Sequence, residues 1–209
     1  ANTDYDFYVR SFCTVGDTSF WEGPYTFKTA CAVFMAPWSE DFDNSGSIPD
    51  CWEQGATNSE NWLFSTSASY GPTSDNTSGS GYFAWIDDSS PHNTATSLES
   101  PQIDLSGLTV PLLRFYLWSE DHGNTPTFLM HVDIDAGSGW VLDSTFDIEN
   151  TSWELQSLDL SAYAGQTIQI RFRGEEVGTG FQKDIAIDDV EVIETPNCPA
   201  PSGLSASNV

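Results

Sequence analysis

The pattern that most constrains the fold of this chain is a long series of short strand-like segments. From about residue 36 to residue 195, runs of alternating apolar and polar residues are separated by turns rich in Ser, Thr, Asn, Gly and Pro. Alternation with a period of two is typical of strands with one buried face, and no segment shows a convincing helical period. The series therefore predicts an all-β protein, an antiparallel two-sheet sandwich of the jelly-roll type. The clearest segments are 82–86, 112–120, 127–135, 167–176 and 184–194.

The last of these segments, DIAIDDVEVIE, carries two adjacent carboxylates, Asp188 and Asp189. Side chains alternate across a strand, so one of the two points inward and the other outward. We expect Asp188 to be the inward one and Asp189 to face solvent with Glu191. An inward carboxylate is costly unless it is hydrogen-bonded, paired or bound to a metal. Backbone N–H groups and a loop hydroxyl could satisfy it, or a cation could tie this strand to an early one. The inward face of the strand at 184–194 is predicted to hold Ala186, Asp188, Val190 and Val192.

Charge narrows the range of partners. The chain has 6 Lys and Arg against 31 Asp and Glu, which gives a formal net charge of −25. Phosphate binding needs clustered Lys and Arg, so nucleic acid and anionic membrane surfaces are disfavoured as partners. No apolar run approaches the length that spans a bilayer, and we expect no direct membrane insertion.

The four cysteines, Cys13, Cys31, Cys51 and Cys198, lack the paired spacing of a zinc site. Widely separated cysteines in a β-rich chain favour an oxidising, extracytoplasmic setting. We predict a disulfide between Cys31 and Cys51, which closes a short loop and would stabilise the fold by roughly 3 kcal/mol in the chain-entropy model. A bridge between Cys51 and Cys198, joining the two ends of the jelly roll, is the competing pairing.

Motifs for catalysis are missing from the sequence. Neither GxSxG nor HExxH occurs, and His92, His122 and His131 are scattered. Asp133 and Asp135 share a strand face, but a glycosidase needs two carboxylates that face each other across a cleft. We therefore expect no enzymatic activity.

Two strands carry aromatic or basic residues opposite their apolar faces. Tyr116 and Trp118 share one face of the strand at 112–118, and Arg171 and Arg173 share one face of the strand at 167–173. If the strands are neighbours, these four side chains form one surface suited to sugars or acidic chains. The alternative is that Trp118 belongs to the sandwich core and that the arginines only neutralise an acidic surface.

The two ends of the chain carry short strand-like patterns outside the central series. Residues 1–31 hold YDFYVRSFC and PYTFKTA around a turn-rich loop, and they resemble the last two strands of a fibronectin type III domain. Residues 196–209 include CPAPSGLSAS and resemble a linker and the first strand of another. The resemblance implies a central domain at 32–195 between two fibronectin-type neighbours, within which Cys13 and Cys198 would each find a partner.

Five short motifs follow one another in the central region: EDFD at 40–43, CW at 51–52, SP at 100–101, LRFY at 113–116 and DIAIDDV at 184–190. Their order resembles a MAM domain. The EDFD opening and the segments IPDCW and ESPQIDLS also resemble jelly-roll adhesin modules of secreted bacterial proteins. The family's usual cysteines are replaced by Asp41 and by Leu112 or Leu113, so its disulfides are not carried over.

This resemblance implies a non-catalytic adhesion or recognition module of a secreted or cell-surface bacterial multidomain protein. Its partner would be an extracellular glycan or a surface protein, besides the neighbouring domains of the same polypeptide. A carbohydrate-binding module appended to a polysaccharide-degrading enzyme or protease is the alternative, and a structural spacer is a third.

The resemblance also implies a structural calcium ion where the first strand, an early loop and the last strand meet. The matching positions are Asp43, Asp75 and Asp188, and Asn58 and Glu60 are further oxygen donors within reach of that corner. Calcium takes six to eight oxygen ligands, which acidic loops supply well. Independently of the family, neighbouring carboxylates repel one another unless a counter-ion is present.

Overall fold

The computed structural model describes residues 2–55, 61–89, 96–123, 127–177 and 180–197. These residues form strands and one 3₁₀ turn, Ser161–Tyr163, and contain no α-helix. No helix in this part of the chain has the length and apolar character needed to cross a membrane. The strands are β1 (Asp4–Val9), β2 (Phe12–Thr14), β3 (Asp17–Thr18), β4 (Glu22–Lys28), β5 (Phe34–Met35), β6 (Trp38–Glu40), β7 (Glu53–Gly55), β8 (Leu63–Ser65), β9 (Phe83–Ile86), β10 (Thr96–Glu99), β11 (Ile103–Asp104), β12 (Pro111–Ser119), β13 (Thr127–Asp135), β14 (Val141–Phe146), β15 (Glu154–Asp159), β16 (Thr167–Val177) and β17 (Ile185–Glu194).

Two large sheets form the sandwich. The seven-stranded sheet has the order β14-β13-β16-β10-β7, with β11 beside β16 and β5 beside β11. The six-stranded sheet has the order β15-β12-β17-β9-β8, with β6 beside β17. The long strands of both sheets pair antiparallel, and β5 with β11 is a short parallel exception. The predicted all-β, two-sheet sandwich is confirmed.

The core lies between the sheets and is filled by the inward side chains of both. Along β12 the burial alternates, with Leu113, Phe115 and Leu117 fully buried and the residues between them half-buried. The ring of Phe115 lies 5.1 Å from that of Phe172 in the opposite sheet. Such edge-to-face aromatic contacts add to the apolar burial that holds the two sheets together.

A bulge in β17 changes which face its carboxylates occupy. Asp189 has a φ of 47°, and the pairing of β17 with β12 shifts register beside it. The extra residue resets the alternation, so Ile187 and Val190 both enter the core between the sheets. Asp188 instead lies opposite Tyr116 on the outer side of the six-stranded sheet. The expectation that Asp188 and Val190 share one inward face is therefore wrong.

The predicted hairpin at the start of the chain is present. β1 and β4 pair antiparallel, and their aromatic side chains, Tyr5, Phe7 and Phe27 among them, are exposed. The assignment of this hairpin to a fibronectin type III domain stays a prediction, as do the domain boundaries.

Cys31 and Cys51 form a disulfide, with their Cα atoms 5.7 Å apart. This is the predicted pairing, and it excludes the competing bridge from Cys51 to Cys198. Cys13 is an exposed free thiol, and Cys198 lies outside the described residues.

Candidate functional site

The four side chains predicted to share a ligand surface are divided between the two sheets. Tyr116 and Trp118 lie on β12 of the six-stranded sheet, whereas Arg171 and Arg173 lie on β16 of the seven-stranded sheet. Both pairs face away from the core, so they point to opposite sides of the sandwich. The hypothesis of one shared surface is wrong, because alternation predicts the face of a strand but not the sheet to which the strand belongs.

Trp118 packs on the outer side of the six-stranded sheet rather than presenting a free ring. Its ring lies 5.8 Å from that of Trp153, in a second apolar cluster with Phe83. Tyr116 borders a small acidic recess with Asp189. Packing, the alternative considered for Trp118, is what the geometry supports, although the residue lies in this outer cluster and not between the sheets.

The outer side of the seven-stranded sheet holds Arg171 and Arg173 in an ion-pair network. Their Nε atoms donate to the same oxygen, Oδ2 of Asp133, over 2.9 and 3.2 Å. Asp133 is 2% exposed, whereas each arginine side chain is 21% exposed. A buried carboxylate persists where charge-assisted hydrogen bonds offset its desolvation. Asp133 therefore fixes both arginines in place.

Glu175 and His131 extend this network. Nε2 of His131 lies 2.8 Å from Glu175, and its Nδ1 lies 2.8 Å from the hydroxyl of Thr145. Nη1 of Arg173 is 4.0 Å from the same Glu175 carboxylate. Both ring nitrogens of His131 are thus engaged in holding the face together.

Trp140 lies in the turn between β13 and β14, beside the network. The Cζ atom of Arg171 is 4.5 Å from the centroid of its ring. This cation–π contact orients the indole against the guanidinium. We refer to the whole surface as the polar face, which consists of His131, Asp133, Trp140, Arg171, Arg173 and Glu175.

Sequence reasoning found only part of the polar face. The sequence indicates the two arginines and shows that Asp133 and Asp135 share a strand face, but it gives Asp133 no partner. The signal that could have linked them is the pairing of β13 with β16, which sets Asp133 directly opposite Arg171. Trp140 stands in a Gly-Ser-Gly-Trp turn with no strand periodicity to mark its direction.

The carboxylates predicted to bind calcium lie around the loop that precedes β9. Asp43 accepts a hydrogen bond from the backbone N–H of Tyr82 over 2.6 Å, and Asp188 accepts one from that of Asn76 over 2.8 Å. Asp75 accepts hydrogen bonds from backbone N–H groups within the same loop. Each of the three carboxylates therefore accepts at least one hydrogen bond from a backbone N–H group, which is the alternative to a cation at Asp188.

Burial and hydrogen bonding shift the pKa values of the carboxylates that hold this loop. It raises the pKa of Asp188 to about 7, and the nearby charges of Asp189 and Asp75 add to the effect. Burial also raises the pKa of Asp184 to about 6; this side chain accepts a 2.6 Å hydrogen bond from the backbone N–H of Tyr70. For Asp75, burial acts in the same direction, but hydrogen bonds from the loop outweigh it and lower the pKa.

The fit of this corner to calcium is incomplete. Within the described ranges, no three Asp, Glu, His or Cys side chains form a group that could hold a metal. Asn58 and Glu60 lie outside those ranges. The donors present are oxygens, which suit a hard cation. The Asp43 carboxylate also lies directly against Gly81, where it leaves no room for a Cβ.

Comparison with known proteins agrees with the fold. A family model described as MAM domain, meprin/A5/mu, matches residues 41–199. Two cleaved adhesin domains of Lys-gingipain from Porphyromonas gingivalis are 18% and 19% identical, with TM-scores of 0.58 and 0.55, covering 76% of this chain and 98% of each domain. The carbohydrate-binding module TmCBM61, in complex with β-1,4-galactotriose, is 14% identical with a TM-score of 0.51, covering 74% of this chain and 94% of the module.

At these low identities the solved structures show a common fold, and they define the chain as a β-sandwich module of this architecture. The family match spans most of the chain. The chain belongs to the MAM domain family.

Proposed function

We propose that this chain is a non-catalytic recognition module of a secreted or cell-surface bacterial protein, and that its polar face binds an extracellular glycan. The observation that carries the proposal is the ordering of Arg171 and Arg173 by one buried carboxylate, Asp133, beside the ring of Trp140. These side chains are held before any ligand arrives, which lowers the entropic cost of binding.

The chemistry of the face suits a sugar. Each guanidinium donates to Asp133 through its Nε atom. The Nη groups of Arg171 make no hydrogen bond to a described residue, so they remain available as donors to a ligand. Sugar hydroxyls accept such donors, and an aromatic ring covers the apolar side of a pyranose. Asp133 and Glu175 offset the two arginines in charge, so the network does not form a strong anion site.

The comparisons support this proposal through the fold. Two structural neighbours are adhesin domains, and a third is a carbohydrate-binding module solved with a galactose trisaccharide. The proposal covers both an adhesin and a module appended to a polysaccharide-degrading enzyme or protease. Binding to a purified polysaccharide favours the second role, whereas binding only to intact cell surfaces favours the first.

Affinity electrophoresis against a panel of neutral and acidic polysaccharides tests the proposal. We expect wild-type protein to be retarded by at least one glycan and Trp140→Ala to lose most of that retardation. Trp21→Ala, at a 60% exposed tryptophan of the hairpin region, is the matched control and should bind as wild type does. Equal retardation of all three proteins would remove the polar face from consideration.

A surface protein, or a neighbouring domain of the same polypeptide, is the second candidate partner. The specific observation that favours it is the exposure of aromatic side chains on the hairpin of β1 and β4, where Tyr5, Phe7, Tyr25 and Phe27 are each about half exposed. Exposed apolar patches of this kind mark protein interaction surfaces. Phe7→Ser should weaken binding to a protein partner and leave glycan binding unchanged.

We propose further that a calcium ion stabilises the corner where Asp43, Asp75 and Asp188 lie. Two observations support this: Asp188 is buried beside two other carboxylates, and the family resemblance implies a cation there. A cation that binds only the native state raises the free energy of unfolding by RT ln(1 + [L]/Kd), so the gain grows with the logarithm of the free calcium concentration. Thermal melts with calcium and with EDTA, for wild type and Asp188→Ala, test it. An unchanged wild-type Tm on chelation, with no metal in elemental analysis, would leave hydrogen bonds as the whole explanation.

A further inference from the structure

A polar cleft of about 430 Å³ opens at the end of the polar face. Asp135 and Gln169, which are partners across β13 and β16, line it together with Gln102 and Gln166. Its volume lies within the range of about 300–1,000 Å³ that is usual for small-molecule sites. Arg171 follows Gln169 on the same face of the strand, roughly 7 Å further along. The cleft therefore adjoins the polar face.

Hydrogen bonds to the protein already orient three of these four side chains. Oδ1 of Asp135 accepts the backbone N–H groups of residues 137–139, over 2.7 to 3.0 Å. Gln166 and Gln169 each donate from Nε2 to a backbone carbonyl, over 3.1 and 3.0 Å. Oδ2 of Asp135 and the two amide oxygens thus remain as acceptors. The amide of Gln102 makes no hydrogen bond to a described residue and can both donate and accept.

We propose that this cleft binds one residue of an uncharged sugar chain whose next residues lie on the polar face; the inference rests on the proposed function. A sugar hydroxyl donates and accepts at once, so adjacent hydroxyls can satisfy both the fixed acceptors and the free amide of Gln102. Val33 and Ala136 supply apolar lining for the ring carbons.

The charge of the cleft favours this class of ligand over acidic and basic ones. Among the described residues that line it, Asp135 carries the only charge. An acidic sugar would bring a second negative charge beside Asp135, in a chain with a net charge of −25. A basic side chain would meet one carboxylate and three neutral amides, with the guanidinium of Arg171 close by. An uncharged polyol matches the lining without either conflict.

Isothermal titration with neutral and charged polymers tests the proposal. The neutral probes are galactan, agarose, xylan and β-glucan, and the charged probes are polygalacturonate and poly-lysine. Gln102→Ala is the cleanest variant, because its amide holds no other part of the protein. We expect it and Gln169→Ala to weaken binding of a neutral probe about 3- to 10-fold, as for the loss of one hydrogen bond. Gln156→Ala, on β15 of the opposite sheet, should bind within about 1.5-fold of wild type.

Different failures separate this inference from the proposed function. If a neutral probe binds and Trp140→Ala abolishes binding while both cleft variants bind normally, the cleft is not a subsite and the polar face still is. Preferred binding of polygalacturonate would refute the charge argument. Binding of poly-lysine alone, weakened by Gln102→Ala, would assign the cleft to a basic protein. Failure of every polysaccharide probe would overturn the inference and the proposed function together.

Discussion

Replacing Asp133 by Ala removes the acceptor that holds both arginines of the polar face. Two charge-assisted hydrogen bonds, of 2.9 and 3.2 Å, end on its Oδ2 atom. Hydrogen bonds to charged groups contribute about 1.5–3 kcal/mol each. Arg171 and Arg173 are each 21% exposed, so water can partly replace the lost contacts. We therefore expect the free energy of unfolding to fall by about 3 kcal/mol, near the lower end of the sum.

Urea denaturation measures this change. With an m-value of about 2–3 kcal/mol/M, the midpoint should fall by about 1–1.5 M urea. Asp133→Asn keeps one acceptor oxygen and should lose about half as much. In double-mutant cycles, Asp133→Ala with Arg171→Ala or Arg173→Ala should be clearly non-additive. A loss below about 1 kcal/mol for Asp133→Ala, with additive cycles, would show that Asp133 does not hold the arginines.

Three further predictions concern the rest of the fold. Cys31→Ser should lower stability by about 3 kcal/mol, because the bridge spans a sequence separation of 20 residues, and Tm with and without reductant checks it. The pKa of Asp184 is about 6 in the folded protein and 3.8 in the unfolded chain, so the folded state holds its proton to higher pH. The resulting contribution to the free energy of unfolding is complete below about pH 4 and is lost as the pH rises through 6. Melts of Asp184→Asn should show a shallower decline over that window than wild type. Gly174→Ala would place a Cβ 2.5 Å from Ile86 and should cost about 1–3 kcal/mol in urea denaturation. Gly107→Ala is the control, because its Cβ would meet only the carbonyl oxygen of Ala36, at an ordinary van der Waals distance of 3.5 Å.

The strand series and its sandwich fold could be predicted from the sequence because each strand carries its own alternation. β12 is the clearest example, since its predicted faces match the burial of Leu113 and Phe115. The bulge in β17 could not be predicted in this way. It depends on a positive φ at Asp189, a conformation that a non-glycine residue seldom adopts and that no local pattern indicates.

The ion-pair network of the polar face could not be predicted from the sequence for a different reason. Its network joins Asp133 and His131 of β13 to Arg171 and Arg173 of β16, and those strands are far apart in sequence. Alternation indicates that each residue faces outward, but only strand pairing determines which outward residues meet. The same limit explains why alternation alone places Trp118 with the arginines, whereas β12 carries its aromatic residues on the outer face of the other sheet.

The two outer faces of the sandwich differ in what already occupies them, and this difference supports the proposed binding on the seven-stranded sheet. On the six-stranded sheet, Asp184 binds the backbone of Tyr70 and Asp188 binds that of Asn76, so a loop of the chain is held against that face. A ligand that reached Trp118 would have to compete with this packing. On the seven-stranded sheet, Asp133 orders its arginines while they remain partly exposed. A ligand can meet that face with the protein side chains already in place, which is why we propose that binding occurs there.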